Sequence, residues 1–234
     1  SKLDGITSIS NLVIKDGVFN ITTGNGATQK VKIGDLSSSS KNDGESIKGI
    51  KASGDITIDG GIFTLNTEDD SIHSNANLNI NGGTFNIESS VDAIHADGMI
   101  EVNRGTFTII AAEGFEGTYI KINDGDITIT ASDDGINAGS KSNDYNVTIE
   151  INGGNIIINM GAGDTDGIDS NGDIYINGGT INITANSPFD YDGTAKYNGG
   201  KMIINGEETT SIPNQMMNSF NKHPNRWKTV KELV

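Results

Sequence analysis

Residues 78–109 read LNINGGTFNIESSVDAIHADGMIEVNRGTFTI and span more than one structural repeat, because Asn81-Gly82-Gly83 returns 22 residues later as Asn103-Arg104-Gly105. Apolar and polar residues alternate on both sides of each turn, as Leu78 and Ile80 show before the first one. A period of two predicts a short strand on each flank, and the repeat contains no helical period of 3.6.

The same turn recurs along most of the chain, and its third residue is always glycine: Gly17, Gly61, Gly83, Gly105, Gly125, Gly154, Gly179 and Gly200. The intervals between these glycines are 44, 22, 22, 20, 29, 25 and 21 residues, so the unit has about 22 residues. One further apolar residue opens each unit: Ile6, Ile47, Ile72, Ile94, Phe115, Ile136 and Ile168. Three short strands per unit, stacked so that apolar positions form ladders inside the coil, predict an all-β, right-handed parallel β-helix.

The repeat divides the chain into two parts. Residues 1–206 are predicted to form the β-helix, with irregular first coils over 1–42, where a run of four serines falls. Residues 207–234 differ in composition, and because the open end of a solenoid needs cover, we expect them to form a C-terminal capping segment. The asparagines at successive corners are expected to stack as a ladder of amides: Asn81, Asn103, Asn123, Asn152 and Asn177.

Composition excludes several classes of function. The chain has 234 residues, with 31 acidic against 16 basic, which argues against binding to nucleic acid. No apolar run approaches the ~20 residues of a membrane-spanning helix. The absence of cysteine excludes disulfides and thiolate metal sites. The chain starts without the apolar segment of a signal peptide, so we expect any export signal to have been removed, and we expect a monomer.

Each unit carries a carboxylate two residues before its opening apolar residue: Asp4, Glu45, Asp70, Asp92, Glu113, Asp134 and Asp166. Equal positions of a stacked solenoid lie ~4.8 Å apart. Two carboxylates at that distance repel by ~1 kcal/mol in water and by several times more near a protein surface. A cation between them would relieve this repulsion, and oxygen ligands without sulfur favour Ca²⁺.

We therefore predict calcium as the cofactor, with ligands where carboxylates are densest: Asp69, Asp70, Asp92, Glu113, Asp133, Asp134, Asp164, Asp166 and Asp169. Two alternatives stay open. The column could be solvated, with diffuse counterions and some protonation, or the Asp side chains could cap the corners by accepting bonds from backbone N–H groups.

Other residues are predicted to contact a ligand. His73 and His95 are 22 residues apart and should stack on adjacent coils beside the acidic column, as a polar ladder, a sugar contact or, less expected, ligands of a transition metal. Asn137 occupies the same repeat position. Tyr145, Tyr175 and Tyr191 lie in outward positions or beside insertions, where exposed rings suit the faces of sugars.

Three departures from the repeat, residues 138–147, 159–165 and 185–198, are interpreted as insertions. In the repeat register they fall at corners that border one edge strand. Loops added to one side of a solenoid usually build a binding face, so we expect the ligand on that side.

Several phrases resemble the carbohydrate-binding β-helix family of cellulolytic bacteria: DAIHADG at 92–98, DGINA at 134–138 and the repeated Asn-Gly-Gly-x-Phe/Ile, across roughly residues 43–205. The resemblance implies a pectate-lyase-like right-handed fold. It also implies an exported cell-surface protein that binds Ca²⁺ and plant cell-wall polysaccharides, namely cellulose and polygalacturonate (pectin), without established catalysis. By position, the aspartates of the repeated units would be the calcium ligands.

Three classes of function follow from these patterns. In a non-catalytic binding protein, Ca²⁺ on the acidic column would take a uronate carboxylate as a further ligand. A Ca²⁺-dependent pectate lyase would need a strong base beside the metal, whereas Arg104 lies in an Asn-Gly turn away from the acidic column and Lys48 lies near the irregular first coils. A structural or adhesive cell-surface solenoid would need no specific ligand.

Overall fold

The structure, a computed structural model, describes residues 1–28, 46–161 and 165–214, and in this part every regular element is a strand. The strands, in chain order, are β1 (Ile6–Ser8), β2 (Leu12–Ile14), β3 (Val18–Thr23), β4 (Ile50–Ala52), β5 (Ile56–Ile58), β6 (Ile62–Thr67), β7 (Ile72–Ser74), β8 (Leu78–Ile80), β9 (Thr84–Ser89), β10 (Asp92–Val102), β11 (Thr106–Ala111), β12 (Glu113–Ile122), β13 (Asp126–Ala131), β14 (Asp134–Ala138), β15 (Thr148–Ile151), β16 (Asn155–Met160), β17 (Asp166–Ser170), β18 (Asp173–Ile176), β19 (Thr180–Thr184), β20 (Ser187–Tyr191), β21 (Ala195–Tyr197), β22 (Lys201–Ile204) and β23 (Glu207–Thr209).

Each coil contributes three strand positions, and each strand pairs in parallel with the equivalent strands of neighbouring coils. The first positions follow the order β1-β4-β7-β10-β12-β14-β17-β20, which gives eight coils. In the fourth and fifth coils, β10 and β12 continue through the second position, so first and second positions form one 14-stranded sheet. Third positions form a 9-stranded sheet that also contains β23. The prediction of a parallel β-helix is therefore confirmed.

The core lies inside the coils, where the predicted apolar ladders are buried. Each inward residue stacks on its counterparts one coil away, as Ile56 pairs with Leu78 and Leu78 with Ile100. The rings of Phe19, Phe63, Phe85 and Phe107 stack with centroids 4.6–4.8 Å apart. Since one coil leaves its apolar face uncovered, burial comes from stacking of neighbours.

Corners between second and third positions use glycine and asparagine as predicted. Gly61 has φ +118°, and a Cβ built there would lie 3.0 Å from the carbonyl oxygen of Gly17 in the preceding coil, so only glycine fits without strain. The amide ladder is present, with Asn103 Nδ2 donating to Asn81 Oδ1 at 2.9 Å and Asn123 Nδ2 donating to Asn103 Oδ1 at 2.8 Å. The ladder continues through Asn152, Asn177 and Asn198.

The structure corrects three details of the repeat. The first coil is regular over residues 6–23, because β1, β2 and β3 pair in register with the second coil, so the irregularity predicted for 1–42 does not include this coil; residues 29–42 lie outside the described residues. Ile50, not Ile47, opens the second coil, since Ile6 pairs with Ile50. Residues 185–198 are not an insertion, because they contain β20 and β21 of the eighth coil.

After β22 the chain reverses direction. Asn205 and Gly206 have φ of 52° and 85°, which a tight hairpin turn requires, and β23 pairs antiparallel with β22. Further on, Ile212 packs against the core and Asn214 Nδ2 donates to the carbonyl oxygen of Tyr191 at 2.8 Å. The capping role of 207–234 stays a prediction, because residues 215–234 lie outside the described residues.

In the described part of the chain, no helix has the length and hydropathy that crossing a bilayer requires.

Candidate functional site

Two columns of polar side chains run along the first strand positions. The acidic row, at or just before the start of each strand, consists of Asp4, Lys48, Asp70, Asp92, Glu113, Asp134, Asp166 and Ser187. The outer row, three residues further along each strand, consists of Thr7, Lys51, His73, His95, Glu116, Asn137, Asp169 and Asp190. The predicted vertical alignment of acidic groups is therefore present over most of the solenoid.

The second coil departs from the predicted row, because Lys48 stands where Glu45 was expected. The shift follows from the register, in which Lys48-Gly49-Ile50 matches Asp4-Gly5-Ile6. Lys48 Nζ lies 2.9 Å from Asp69 Oδ1 and 2.6 Å from Asp70 Oδ2. A lysine thus supplies positive charge to two predicted calcium ligands.

Some acidic side chains also bond the backbone of the next coil, as the capping alternative proposed. Asp4 Oδ1 accepts from the Lys48 N–H at 2.8 Å, and Asp70 Oδ1 accepts from the Asp92 N–H at 3.2 Å. Asp134 Oδ1 accepts from the Asp166 N–H at 3.1 Å. Each of these carboxylates keeps a second oxygen for another partner.

We call the cluster of Lys48, Asp69, Asp70, His73, Asp92, His95, Asp97, Glu116 and Lys141 the paired half of the site. The imidazole rings of His73 and His95 stack with centroids 4.4 Å apart, as predicted from their spacing. His73 Nδ1 lies 2.8 Å from Asp70 Oδ2, and His95 Nδ1 lies 2.7 Å from Glu116 Oε2. Lys48, His95 and Lys141 contact the carboxylates here, so part of the negative charge is compensated within the protein.

Ionisation in the paired half follows these contacts. Burial raises the pKa of Asp70, but its bonds to His73 and Lys48 outweigh burial and hold the pKa below its usual value. Burial lowers the pKa of His95, but the bonds to Asp92 and Glu116 raise it to about 10, so this imidazole is a cation at neutral pH. Burial, with the charges of Asp70 and Glu116, raises the pKa of Asp92 to about 8.

Glu113 lies between the two halves of the site. It is the register partner of Asp92, and its Oε2 accepts from Asn137 Nδ2 at 3.0 Å. Burial raises its pKa to about 9, with further contributions from the charges of Asp92 and Glu116. At neutral pH this carboxyl is therefore mostly protonated, which makes it a poor calcium ligand unless an ion displaces the proton.

We call Asp133, Asp134, Asp166, Asp169, Asp190 and Asp192 the acidic half. Asp134 pairs in register with Asp166, and Asp169 pairs with Asp190. Burial raises the pKa of Asp134 to about 7, and the charges of Asp133, Asp169 and Asp166 add to this effect. In the described residues, no ion pair involves Asp134 or Asp169.

Asp169 behaves like Asp134. Burial raises its pKa to about 7, followed by the charges of Asp166, Asp190 and Asp192. Asp164, another predicted calcium ligand, lies outside the described residues. Repulsion between carboxylates therefore acts at Asp92 and Glu113 as well as in the last three coils. Within the described residues, Asp134 and Asp169 differ from Asp92 in having no ion pair that offsets it.

Residues 139–147 connect β14 to β15 and fold back over the fifth coil. The backbone N–H groups of Lys141 and Ser142 both donate to Thr118 Oγ1 at 2.9 Å, and Lys141 Nζ bonds Glu116. The insertion predicted at 138–147 is therefore a loop that adds a cation to the paired half. Sequence reasoning missed Lys48 and Lys141, and only the Gly49-Ile50 match could have revealed the first.

The predicted tyrosines occupy different surroundings. Tyr145 lies in the 139–147 loop, where its ring centroid is 6.1 Å from that of Tyr119. Tyr175 points outward from β18, and its hydroxyl donates to Asp173 Oδ2 at 3.1 Å. Tyr191 pairs in register with Ser170 and packs partly buried against the core, and its contact with a ligand stays a prediction.

The fold and this strand face place the chain in the class of parallel β-helix proteins that carry rows of polar side chains along one sheet. A model of the carbohydrate-binding domain-containing protein family matches residues 1–93 and 91–219, and the chain therefore belongs to that family. This confirms the family resemblance drawn from the repeated phrases. A search of curated protein sequences finds no significant match.

Among solved structures, the chain is similar to one described as the polysaccharide lyase-like protein from C. thermocellum, in its gadolinium derivative. The two share 20% sequence identity, and the alignment covers 87% of this chain and 88% of that chain with a TM-score of 0.51. At this identity the likeness establishes the shared fold alone.

Proposed function

We propose that this carbohydrate-binding protein holds Ca²⁺ in the acidic half and uses it to bind acidic plant cell-wall polysaccharide, polygalacturonate or pectin. A protein with a formal charge of −15 repels a polyanion unless cations lie between them. Calcium bound by protein carboxylates can take a uronate carboxylate as a further ligand, because Ca²⁺ accepts six to eight oxygens. The ion thus converts repulsion into attraction.

One observation carries the proposal. Asp134 and Asp169 have pKa values of about 7 because burial and neighbouring carboxylates oppose their ionisation, while no described ion pair reaches either side chain. Partly buried carboxylates that crowd one another are stabilised when a cation neutralises them. The paired half shows how the same scaffold solves this problem with its own cations, and the acidic half has the donor set of a hard divalent ion.

Calcium binding can be measured directly. Isothermal titration and terbium luminescence should detect an oxygen-ligand site in the wild-type protein. The double variant Asp134→Asn/Asp169→Asn should abolish it, because two anionic ligands are removed. Asp126→Asn is the matched control, since Asp126 is an exposed carboxylate on the third-strand sheet. Calcium binding that survives in the double variant would refute this placement of the ion.

Polysaccharide binding is the second test. Polygalacturonate retained on a column should capture the protein in calcium and release it in excess EGTA. The double variant should fail to bind in either condition, whereas Asp126→Asn should bind like wild type. Retention in EGTA would show that the sugar is held without calcium, and the bridging proposal would then be wrong.

Cellulose carries no carboxylate, so a calcium bridge does not account for binding to it. We propose that Tyr145 and Tyr175 contact cellulose or neutral segments of the wall polymer, since both rings are only partly buried. Pull-down on insoluble cellulose in EGTA, with wild type and Tyr145→Ala/Tyr175→Ala, tests this contact. Equal binding of the two proteins would exclude these rings.

We further propose that binding, rather than catalysis, is the activity. A pectate lyase needs a neutral or readily deprotonated base beside the metal. The cations next to the carboxylates, Lys48 and Lys141, keep their protons: burial lowers their pKa values, but the carboxylates around them raise the pKa further. Release of unsaturated product from polygalacturonate, followed by ultraviolet absorbance in calcium, should stay at the level without protein, and a protein-dependent increase would establish a lyase.

We place the protein outside the cell or on its surface. Extracellular calcium modules have dissociation constants of about 10⁻⁴–10⁻³ M, which match the calcium concentrations found there. Fractionation of the producing cells, with an antibody against the chain, should find it in the medium or on the cell surface, and a cytoplasmic pool alone would contradict this.

A further inference from the structure

Asp92, His95 and Glu116 bring three metal-ligating atoms together in the paired half. His95 Nδ1 lies 3.0 Å from Asp92 Oδ2 and 2.7 Å from Glu116 Oε2. The three residues are 5%, 7% and 8% exposed, so all three are shielded from water. We infer that these atoms bind a divalent transition metal of the zinc class, at a site separate from the calcium proposed for the acidic half.

At neutral pH two hydrogens hold this group together, one on His95 Nδ1 and one that Asp92, with a pKa of about 8, shares with Glu116. Nδ1 carries at most one hydrogen, yet two carboxylate oxygens lie within hydrogen-bond distance of it. A divalent cation that displaces both hydrogens attracts the two oxygens together with the nitrogen lone pair. One imidazole nitrogen with two carboxylate oxygens suits Zn²⁺ and related ions, whereas Ca²⁺ takes oxygen ligands.

The other ring nitrogen provides an independent indication. His95 Nε2 lies 3.2 Å from Asp97 Oδ1. Metal-binding histidines usually donate their second N–H to a carboxylate, which fixes the tautomer and the ring orientation. Once a metal displaces the Nδ1 hydrogen, Nε2 keeps its own hydrogen and the Nδ1 lone pair faces Asp92 and Glu116. Lys141 bonds the other oxygen of Glu116, Oε1, and so holds Oε2 on the side of His95.

His73 does not share this ion, although its ring is adjacent. The rings of His73 and His95 are stacked 4.4 Å apart with an interplanar angle of 12°. Imidazole binds a metal in the plane of its ring, and one ion cannot lie in two nearly parallel planes. His73 Nδ1 instead bonds Asp70 Oδ2 at 2.8 Å. His73 is therefore a matched control for His95.

The test uses Co²⁺ as a spectroscopic probe, in excess calcium so that the acidic half is occupied, and in a His223→Gln background that removes the third histidine. We expect a visible absorption band and a saturable affinity. His95→Gln should abolish the band. Asp97→Asn should weaken binding by about 10–100-fold, the usual effect of losing an outer-shell partner. His73→Gln should leave the affinity unchanged.

Because His95→Gln disturbs a buried network, the second measurement uses the same background with His95 intact. Addition of Zn²⁺ should shift the ¹⁵N signal of His95 Nδ1 and keep Nε2 protonated, with no comparable change at His73. The inference is wrong if Zn²⁺ leaves the ring signals of His95 unchanged, or if His73→Gln weakens Co²⁺ binding as much as His95→Gln. Failure of Co²⁺ to bind in that excess of calcium would also overturn it.

Discussion

The paired half and the acidic half of one strand face differ in where their positive charge comes from. In the first, Lys48, His95 and Lys141 lie within bonding distance of the carboxylates around them. In the second, Asp134 and Asp169 face other carboxylates. Parallel pairing in register continues through the first strand positions of both halves, so the comparison shows that a few side chains decide whether the site is neutralised by its own cations or needs an ion.

The largest expected effect comes from removing the internal cation of the paired half. Lys48→Met leaves Asp69 and Asp70 without their ammonium, and breaking a buried ion pair costs about 3–5 kcal/mol. Since Lys48 is 14% exposed and Asp70 5%, the lower end of that range is expected. Chemical denaturation measures the loss. Added calcium should restore part of it, because the variant resembles the acidic half; the absence of any calcium effect on the variant would break the analogy.

Calcium should stabilise the wild-type protein in a pH-dependent way. Ligand at 100 times its dissociation constant adds about 2.7 kcal/mol to the free energy of unfolding. Asp134 and Asp169 ionise near pH 7 when folded but near 3.8 when unfolded, so without metal they lower stability as the pH rises from about 4 to about 7.

Calcium must displace protons from these two carboxyls at low pH and finds them ionised at high pH. We therefore expect the calcium-induced rise in melting temperature to be larger at about pH 8 than at about pH 5. Titration calorimetry in buffers of different ionisation enthalpy should show that calcium binding releases protons, and that this release becomes smaller as the pH rises from about 5 to about 8. A calcium effect that is independent of pH would separate the ion from Asp134 and Asp169, and the Asp134→Asn/Asp169→Asn variant provides the reference curve.

A lysine can be transplanted into the acidic half. Asn137 stands in the outer row between Glu116 and Asp169. Asn137→Lys places an ammonium beside Asp169, so we expect about 1 kcal/mol of added stability without metal, and a weaker response to calcium. Asn137→Met, which adds length without charge, is the control; equal behaviour of the two variants would show that charge is not the cause.

The smallest effect is expected at Lys141. Its side chain is 35% exposed, so its pair with Glu116 is screened by water, and Lys141→Met should lower the free energy of unfolding by about 0.5–1 kcal/mol. Denaturation at low and high salt measures this difference, which should shrink as salt rises. A loss as large as that of Lys48→Met would mean that the loop 139–147 matters for packing rather than for charge.

Most of the fold could be predicted from the sequence because its signal is periodic. The spacing of Asn81 and Asn103 predicts both the length of the coil and the amide ladder that the structure contains. The predicted register of the second coil was wrong. It aligned Glu45 with the other carboxylates, whereas the structure aligns Lys48 there, because the Gly-Ile pair that follows Lys48 matches the one in the first coil. Apolar positions fix the register, and the charge at each position follows from it.

The site was predictable only in its alignment. The stacking of His73 on His95 follows from their spacing, because equal positions of a repeat must superpose. The contact of Lys141 with Glu116 does not, since it depends on the direction in which loop 139–147 folds, and no periodic pattern describes a loop. The inward position of Tyr191 was also missed. In the sequence, residues 185–198 are interpreted as an insertion, whereas the structure places Tyr191 in a strand of the eighth coil.

The reversal of β23 against β22 has a consequence for the behaviour of the protein at high concentration. A row of unsatisfied parallel-strand N–H and C=O groups is a template on which another chain can grow, as in fibrils. On the third-strand sheet this row is occupied by a short segment running the opposite way. The antiparallel segment therefore covers the last parallel edge of this sheet, so a second chain cannot pair directly with β22 in the parallel register.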